Sequence, residues 1–223
     1  MPDLHSLLSG EPGRQHASEQ LRRAILAGDM APGQRLVEEE LAALLQVTRA
    51  SVRAALIDLT AAGLVERIPN RGARVRAVTL DEAIAITECR MALEGLCARK
   101  AAERVTPEQA TALRELGMQM ADAVTSGEPV KYSALNRALH QQILDMSGQT
   151  VAADLLARLN GQFVRHQFQL SLKPGRPQRS LPEHLAIIEA IARGRQDDAE
   201  HATRQHLSSV VTALREDAQE AHR

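Results

Sequence analysis

Between Val37 and Leu45 the apolar residues Val37, Leu41, Leu44 and Leu45 recur at helical spacing, with Glu38, Glu39 and Glu40 at the positive end of the helix they predict. Pro32-Gly33 is a turn signal that excludes helix before Arg35. Thr48 offers a side-chain oxygen as N-cap to a second helix, running from Arg49 to about Ala62, and Gly63 ends it. The period then drops to two. Leu64 to Ile68, a Pro-Asn-Arg-Gly turn and Ala73 to Arg76 predict a short antiparallel hairpin. Ala17, Leu21, Ala24 and Ile25 mark the buried face of a preceding helix from about Gln15 to Ala27, behind a leader spanning Met1 to Gly13. Three helices and a β-hairpin wing make residues 14–78 a winged helix-turn-helix.

No strand signal follows Val78. Thr79 and Glu82 form a capping box for a long helix through Arg104, and Thr106 with Pro107 opens another to about Thr125. A break at Ser126 to Pro129 precedes a helix to Met146, stopped by Ser147-Gly148, and Thr150 to Leu172 keeps helical spacing. Lys173 to Arg179 is the clearest irregular segment. Ser180 to Glu183 then reads as a third capping box, opening a helix to Ala192, and Gln196 to about Glu220 is the last helix. The chain is therefore mainly α, with residues 79–221 an all-α antiparallel bundle of about six helices.

Charge distribution sharpens the picture. Six arginines (Arg49, Arg53, Arg67, Arg71, Arg74 and Arg76) crowd the second helix and the hairpin against Asp58 and Glu66, in a chain whose net charge is only −1. Arg49 and Arg53 are one turn apart, opposite Val52, Leu56 and Leu59, as a helix lying in the major groove requires. Tyr132, Phe163 and Phe168 are the only aromatics, too few for the stacking that single-stranded nucleic acid needs. Cys89 and Cys97 lie too far apart along one helix to bridge and read as reduced thiols. No run of eighteen apolar residues and no signal pattern appear, which points to a cytoplasmic protein that spans no membrane.

The segment PGQRLVEEELAALLQVTRASVRAALIDLTAAGLVERIPNRGARV resembles the DNA-binding domain of GntR-type bacterial transcription regulators. The resemblance implies that Arg35, Arg49 and Arg53 contact DNA and that Gly72 lets the wing tip approach the minor groove. Thr48, Ser51 and Arg71 complete the candidate set. Two departures stand out: Ala50-Ser51 where the family often has Thr-Pro, and Ala54 where it often has Glu. Ala54 removes a carboxylate that often orients neighbouring arginines.

In the second half, Asn136 and His140 are one turn apart on one helix, His184 starts a later helix and His206 lies in the last. Spacing alone leaves them divided between ordinary polar residues and a site where three helices meet on a divalent metal. The segments around Glu88–Glu94, Asn136–His140, Glu183–Ile188 and Ala199–Leu207 resemble the FCD effector domain of the FadR subfamily. That resemblance implies a metal (Zn, Ni or Mn) held by Asn136, His140, His184 and His206, with Asn where Asp is common. It also implies that Arg90 faces a cavity and pairs with a ligand carboxylate. An Arg90–Glu94 surface pair is the competing reading, and Arg165 is a further candidate for the effector cavity.

The function these readings imply is a ligand-responsive regulator, as a repressor, binding a palindromic double-stranded operator as a homodimer and responding to a small organic acid. A metal-dependent hydrolase and an architectural DNA-binding protein without effector are the alternatives. No HExxH motif and no general base paired with the His set accompany them, which weighs against catalysis.

Overall fold

The computed structural model of the protein describes residues 7–68, 72–159 and 173–221. They fall into two compact units, the first ending at Val78 and the second beginning at Thr79. The first contains α1 (Gly10–Ala27), β1 (Arg35–Leu36), α2 (Glu38–Leu45), α3 (Arg49–Ala61), β2 (Val65–Ile68) and β3 (Gly72–Val75). It is mainly α with a winged helix-turn-helix, as expected, with two changes of detail.

Helix α1 begins at Gly10, inside the segment read as a leader. The cause is packing and pairing together. Leu8 and Val47 form an isolated parallel bridge, with Leu8 N–H donating to the Gln46 carbonyl (3.1 Å) and Thr48 N–H to the Leu8 carbonyl (3.0 Å). Gly13 then lies so close to this segment that a Cβ there would sit 2.6 Å from the Leu8 carbonyl oxygen. Arg14 clasps α1 to α3, its Nε and Nη2 each 2.7 Å from a carboxylate oxygen of Asp58. The second change is β1, a two-residue strand too short to show periodicity. It pairs antiparallel with β3, so the sheet order is β1-β3-β2, with Arg35 opposite Arg74 and Glu66 opposite Arg74 on its other side. Leu36, Val65, Ala73 and Val75 point inward to Leu21, Val52, Leu56 and Leu59, one core shared by helices and sheet.

Helix α2 ends on Gln46 at φ +54°, the one non-glycine among the described residues in the left-handed region, and asparagine-like amides tolerate it better than branched side chains. Gln46, Val47 and Thr48 thus form the turn between α2 and α3. Thr48 Oγ1 accepts from Ser51 N–H (3.2 Å), capping α3, and Gly63 at φ +72° follows the helix end.

The second unit contains α4 (Leu80–Arg104), α5 (Pro107–Thr125), α6 (Pro129–Ser147), α7 (residues 150–159), α8 (Arg176–Ala192) and α9 (Gln196–Ala221). Thr79 caps α4 by accepting from Glu82 N–H, and Thr106 with Gln109 closes a reciprocal capping box on α5. Leu113, Met120, Tyr132, Leu139, Ile187 and Ile191 fill the core between the helices. The third expected capping box does not form. Helix α8 starts at Arg176, behind Gly175 at φ +81° and with a proline in its first turn, so Ser180 and Pro182 lie inside it. Pro177 suits a first turn, where no N–H is needed, and it outcompetes the later Ser-x-x-Glu start. Ser180 Oγ instead donates to the Arg176 carbonyl one turn back (3.0 Å). The helix expected over 150–172 is described only to 159; the rest lies outside the described residues.

Candidate functional sites: an arginine face and a histidine centre

Helix α3 buries Val52, Ala55, Leu56 and Leu59 and leaves Arg49 and Arg53 on its outer side, with side chains 61% and 58% exposed. Arg35 on β1 is exposed as well, and Gly72 opens β3 at φ +89° with nothing within 4 Å of where a Cβ would stand. Arg71 lies outside the described residues. Two candidates have other work. Thr48 spends its hydroxyl on the α3 cap. Ser51 is 3% exposed, its hydroxyl 2.9 Å from that of Thr48 and close under Gly13, so it belongs to the packing of α1 on α3 and not to the arginine face. Ala54 leaves no carboxylate beside Arg53 on α3, but Glu38 supplies one from α2. Arg53 Nε lies 3.1 Å from both Glu38 oxygens and Nη2 2.7 Å from Oε2. The bonds from Arg53 hold the Glu38 carboxyl below its ordinary pKa. Glu39 stands 3.9 Å from Arg49, in ion-pair range only.

In the bundle, α6, α8 and α9 bring His140, His184 and His206 together, each offering a ring nitrogen within 4.8 Å of the other two. Ring centroids are 4.3 Å apart for His184–His206 and 5.6 Å for His140 with each of the others. Each imidazole spends its Nδ1 on a different partner. His140 Nδ1 is 3.0 Å from Glu94 Oε2, His206 Nδ1 is 2.8 Å from Glu183 Oε2, and His184 Nδ1 is 2.9 Å from the Tyr132 hydroxyl. The Glu183 carboxylate requires an Nδ1–H donor on His206, whereas Glu94 Oε2 meets His140 Nδ1 in ion-pair range and is buried without a hydrogen-bond partner. For His184 the direction follows from a chain of single protons. Ser180 donates its proton to the Arg176 carbonyl, so it accepts from Tyr132 across 2.8 Å, and the Tyr132 oxygen then accepts from His184 Nδ1–H. His206 and His184 therefore keep lone pairs on Nε2, and His184 Nε2 is buried without a hydrogen-bond partner. Asn136, one turn before His140 on α6, likewise has its Oδ1 buried without one. An orphaned imidazole nitrogen among three converging imidazoles, with an orphaned amide oxygen one turn from His140 and both His184 and His206 braced through Nδ1, fits a divalent metal.

The electrostatics agree. Burial pushes His184 well below its ordinary pKa, reinforced by His206 and His140, and burial also lowers His206 against the opposing pull of Glu183. Burial would raise the Glu94 carboxyl, but Arg90 and His140 outweigh it and hold Glu94 well below the usual carboxylate range. His184 and His206 are thus held neutral and Glu94 and Glu183 ionised, the protonation states a metal ligand and its support need. Arg90 is 4% exposed and grips Glu94 Oε1 through Nε (2.8 Å) and Nη2 (2.7 Å). The pair with Glu94 forms, but buried, as part of the brace behind His140 and not on the surface. Arg165 lies outside the described residues. The sequence does not place Glu94, Glu183, Tyr132 or Ser180 at the histidine centre. Tyr132 carried a signal, since Tyr132, Asn136 and His140 stand at four-residue intervals on one face of α6.

A winged helix-turn-helix with an exposed arginine face, joined to a helical bundle with a histidine centre, defines a DNA-binding transcription regulator. The chain matches the profile of the bacterial regulatory proteins of the gntR family over residues 14–75 and that of the FCD domain over residues 85–209, and it belongs to that family. It is 28% identical over 210 residues to the HTH-type transcriptional repressor RspR of Escherichia coli K12, covering 94% of this chain and 92% of that one. It is 27% identical over 169 residues to the Nta operon transcriptional regulator of Aminobacter aminovorans, covering 75% and 78%. The fold is similar to that of E. coli McbR/YncC, with a TM-score of 0.77 at 19% identity, over 95% of this chain and 100% of that chain. Among the described residues no helix is long and apolar enough to cross a membrane.

Proposed function

We propose that the protein is a cytoplasmic, ligand-responsive repressor that binds a palindromic duplex operator as a homodimer. Its bundle takes a divalent metal through Asn136, His140, His184 and His206. The observation that supports this reading most is the convergence of three imidazoles, each offering a ring nitrogen within 4.8 Å of the other two, with His184 Nε2 buried and unpartnered among them. An imidazole-rich set suits zinc or nickel better than manganese. When bound, the metal supplies a Lewis-acid contact for the carboxylate of a small organic acid. Arg90 reaches such a carboxylate only in competition with Glu94.

On the DNA side, one recognition helix reads a few base pairs, so selectivity requires two copies of α3 on two half-sites. An effector alters that only if it binds two arrangements of the protein with different affinity. The test is metal analysis of purified wild type and of a His140→Ala/His184→Ala variant, with a thermal-shift screen of small carboxylates on both. Stoichiometric metal in wild type and none in the variant is expected, with carboxylate stabilisation confined to wild type. Stoichiometric metal retained by the variant refutes the site.

A further inference from the structure

The carboxylate of Glu38 meets Arg53 across the turn between α2 and α3, fifteen residues apart in sequence. A guanidinium has two donor edges, Nε with Nη2 and Nη1 with Nη2. Glu38 occupies the first edge, with Nε 3.1 Å from both oxygens and Nη2 2.7 Å from Oε2. The Glu38 side chain is 25% exposed and Arg53 58% exposed, so the acid is the more covered partner, and the bonds between them use Nε and Nη2 and not Nη1. One turn earlier on the same face, Arg49 has only the 3.9 Å approach of Glu39. The two arginines are therefore held differently: Arg49 is loosely tethered, and Arg53 is fixed through both Nε and Nη2.

We propose that Glu38 is a specificity-determining positioning residue, which fixes Arg53 so that its Nη1/Nη2 edge reads a base while its charge is masked from the phosphates. Two physical consequences follow. A guanidinium already held in one rotamer loses less freedom when it grips guanine O6 and N7, so the correct base gains. A neutralised arginine releases fewer counterions on any duplex, so sequence-independent binding loses. Both raise the ratio of specific to non-specific affinity. Ala54 makes the arrangement necessary, because α3 itself carries no acid beside Arg53. The inference rests on the reading that α3 faces duplex DNA.

The test uses the full-length protein, the best duplex it selects from a random-sequence pool, and a scrambled duplex of equal length, each titrated by fluorescence anisotropy at several salt concentrations. Glu38→Gln is expected to bind the scrambled duplex more tightly with a steeper salt dependence, and to lower the selected-to-scrambled ratio about tenfold. Glu40→Gln removes the same charge from the first turn of α2 and is expected to leave the ratio unchanged. In an Arg53→Ala background, Glu38→Gln is expected to have no further effect on the ratio. A wild-type ratio in Glu38→Gln, or an equal drop in the Arg53→Ala background, overturns the role of Glu38 alone. Arg53→Ala binding both duplexes as wild type does overturns the reading of α3 as well.

Discussion

The Tyr132 hydroxyl lies 2.9 Å from His184 Nδ1 at the centre of the bundle, and it accepts the imidazole proton because its own is committed to Ser180. Burial pushes the Tyr132 phenol up to about 12, so it remains a neutral link at any physiological pH. The pair fixes which nitrogen of His184 carries the lone pair. Tyr132→Phe removes this acceptor with little change of side-chain shape, leaving Nδ1–H without its phenol partner in a buried site. Metal affinity is expected to fall about 10–100-fold, while circular dichroism stays helical. Competition with a chromogenic chelator, run beside wild type, measures the loss; equal affinity would show that the phenol only packs.

On the DNA side, Arg49 is exposed and donates no hydrogen bond to Glu39, whose oxygen is 3.9 Å away. Arg49→Ala is expected to cost about 1–3 kcal/mol at the preferred operator and to relax selectivity at one base position. The measurement is repeat selection from a random duplex pool with the variant. An unaltered consensus and unaltered affinity would remove Arg49 from the reading face.

Much of this was legible in sequence because the deciding signals are local. Thr48, Thr79 and Thr106 announce helix starts through hydroxyls that need only their own next turn, and Gly63 and Gly148 announce ends through φ alone. His140 and Asn136 share a face by periodicity. What was hidden depends on distance. Ser51 looks available on a polar helix start, and only the approach of Leu8 and Gly13 buries it. Ser180 reads as a cap until Gly175 and Pro177 start the helix a turn earlier. The braces Glu94 and Glu183 and the Glu38–Arg53 clasp join elements far apart in the chain, so no spacing rule reaches them.

The clasp between Arg14 and Asp58 gives the first unit a pH signature. Hydrogen bonds from Arg14 hold the Asp58 carboxyl below its ordinary value. A carboxyl with a depressed native pKa stabilises the fold fully above its unfolded value of about 4 and loses that contribution as pH falls through the native one. Asp58→Asn is therefore expected to lower the melting temperature at pH 7, and the gap to wild type is expected to narrow as pH is taken from 5 towards 3. Melting curves of both proteins across that range decide it; a gap independent of pH would assign the loss to packing instead.

Gly13 sets helix propensity against contact distance. Glycine inside a helix ordinarily costs about 1 kcal/mol relative to alanine, so Gly13→Ala would stabilise an isolated α1. In the protein the added Cβ would stand 2.6 Å from the Leu8 carbonyl oxygen, 2.8 Å from its carbon and 2.7 Å from Ser51 Oγ. Two of those atoms are backbone, and they belong to the segment whose hydrogen bonds to Gln46 and Thr48 hold the turn before α3. Relief requires moving either that segment or α1, whose Arg14 is fixed on Asp58 one residue on. Crowding of this kind costs about 1–3 kcal/mol, which exceeds the propensity gain. Gly13→Ala is expected to lower the melting temperature and to weaken DNA binding through the displaced N-terminus of α3, whereas Gly10→Ala, with open space around its Cβ but φ +61°, is expected to weaken stability without that loss of binding. Melting and duplex titration of the two variants side by side separate backbone strain from collision. A Gly13→Ala protein more stable than wild type would mean that the start of α1 is not held against the turn at all.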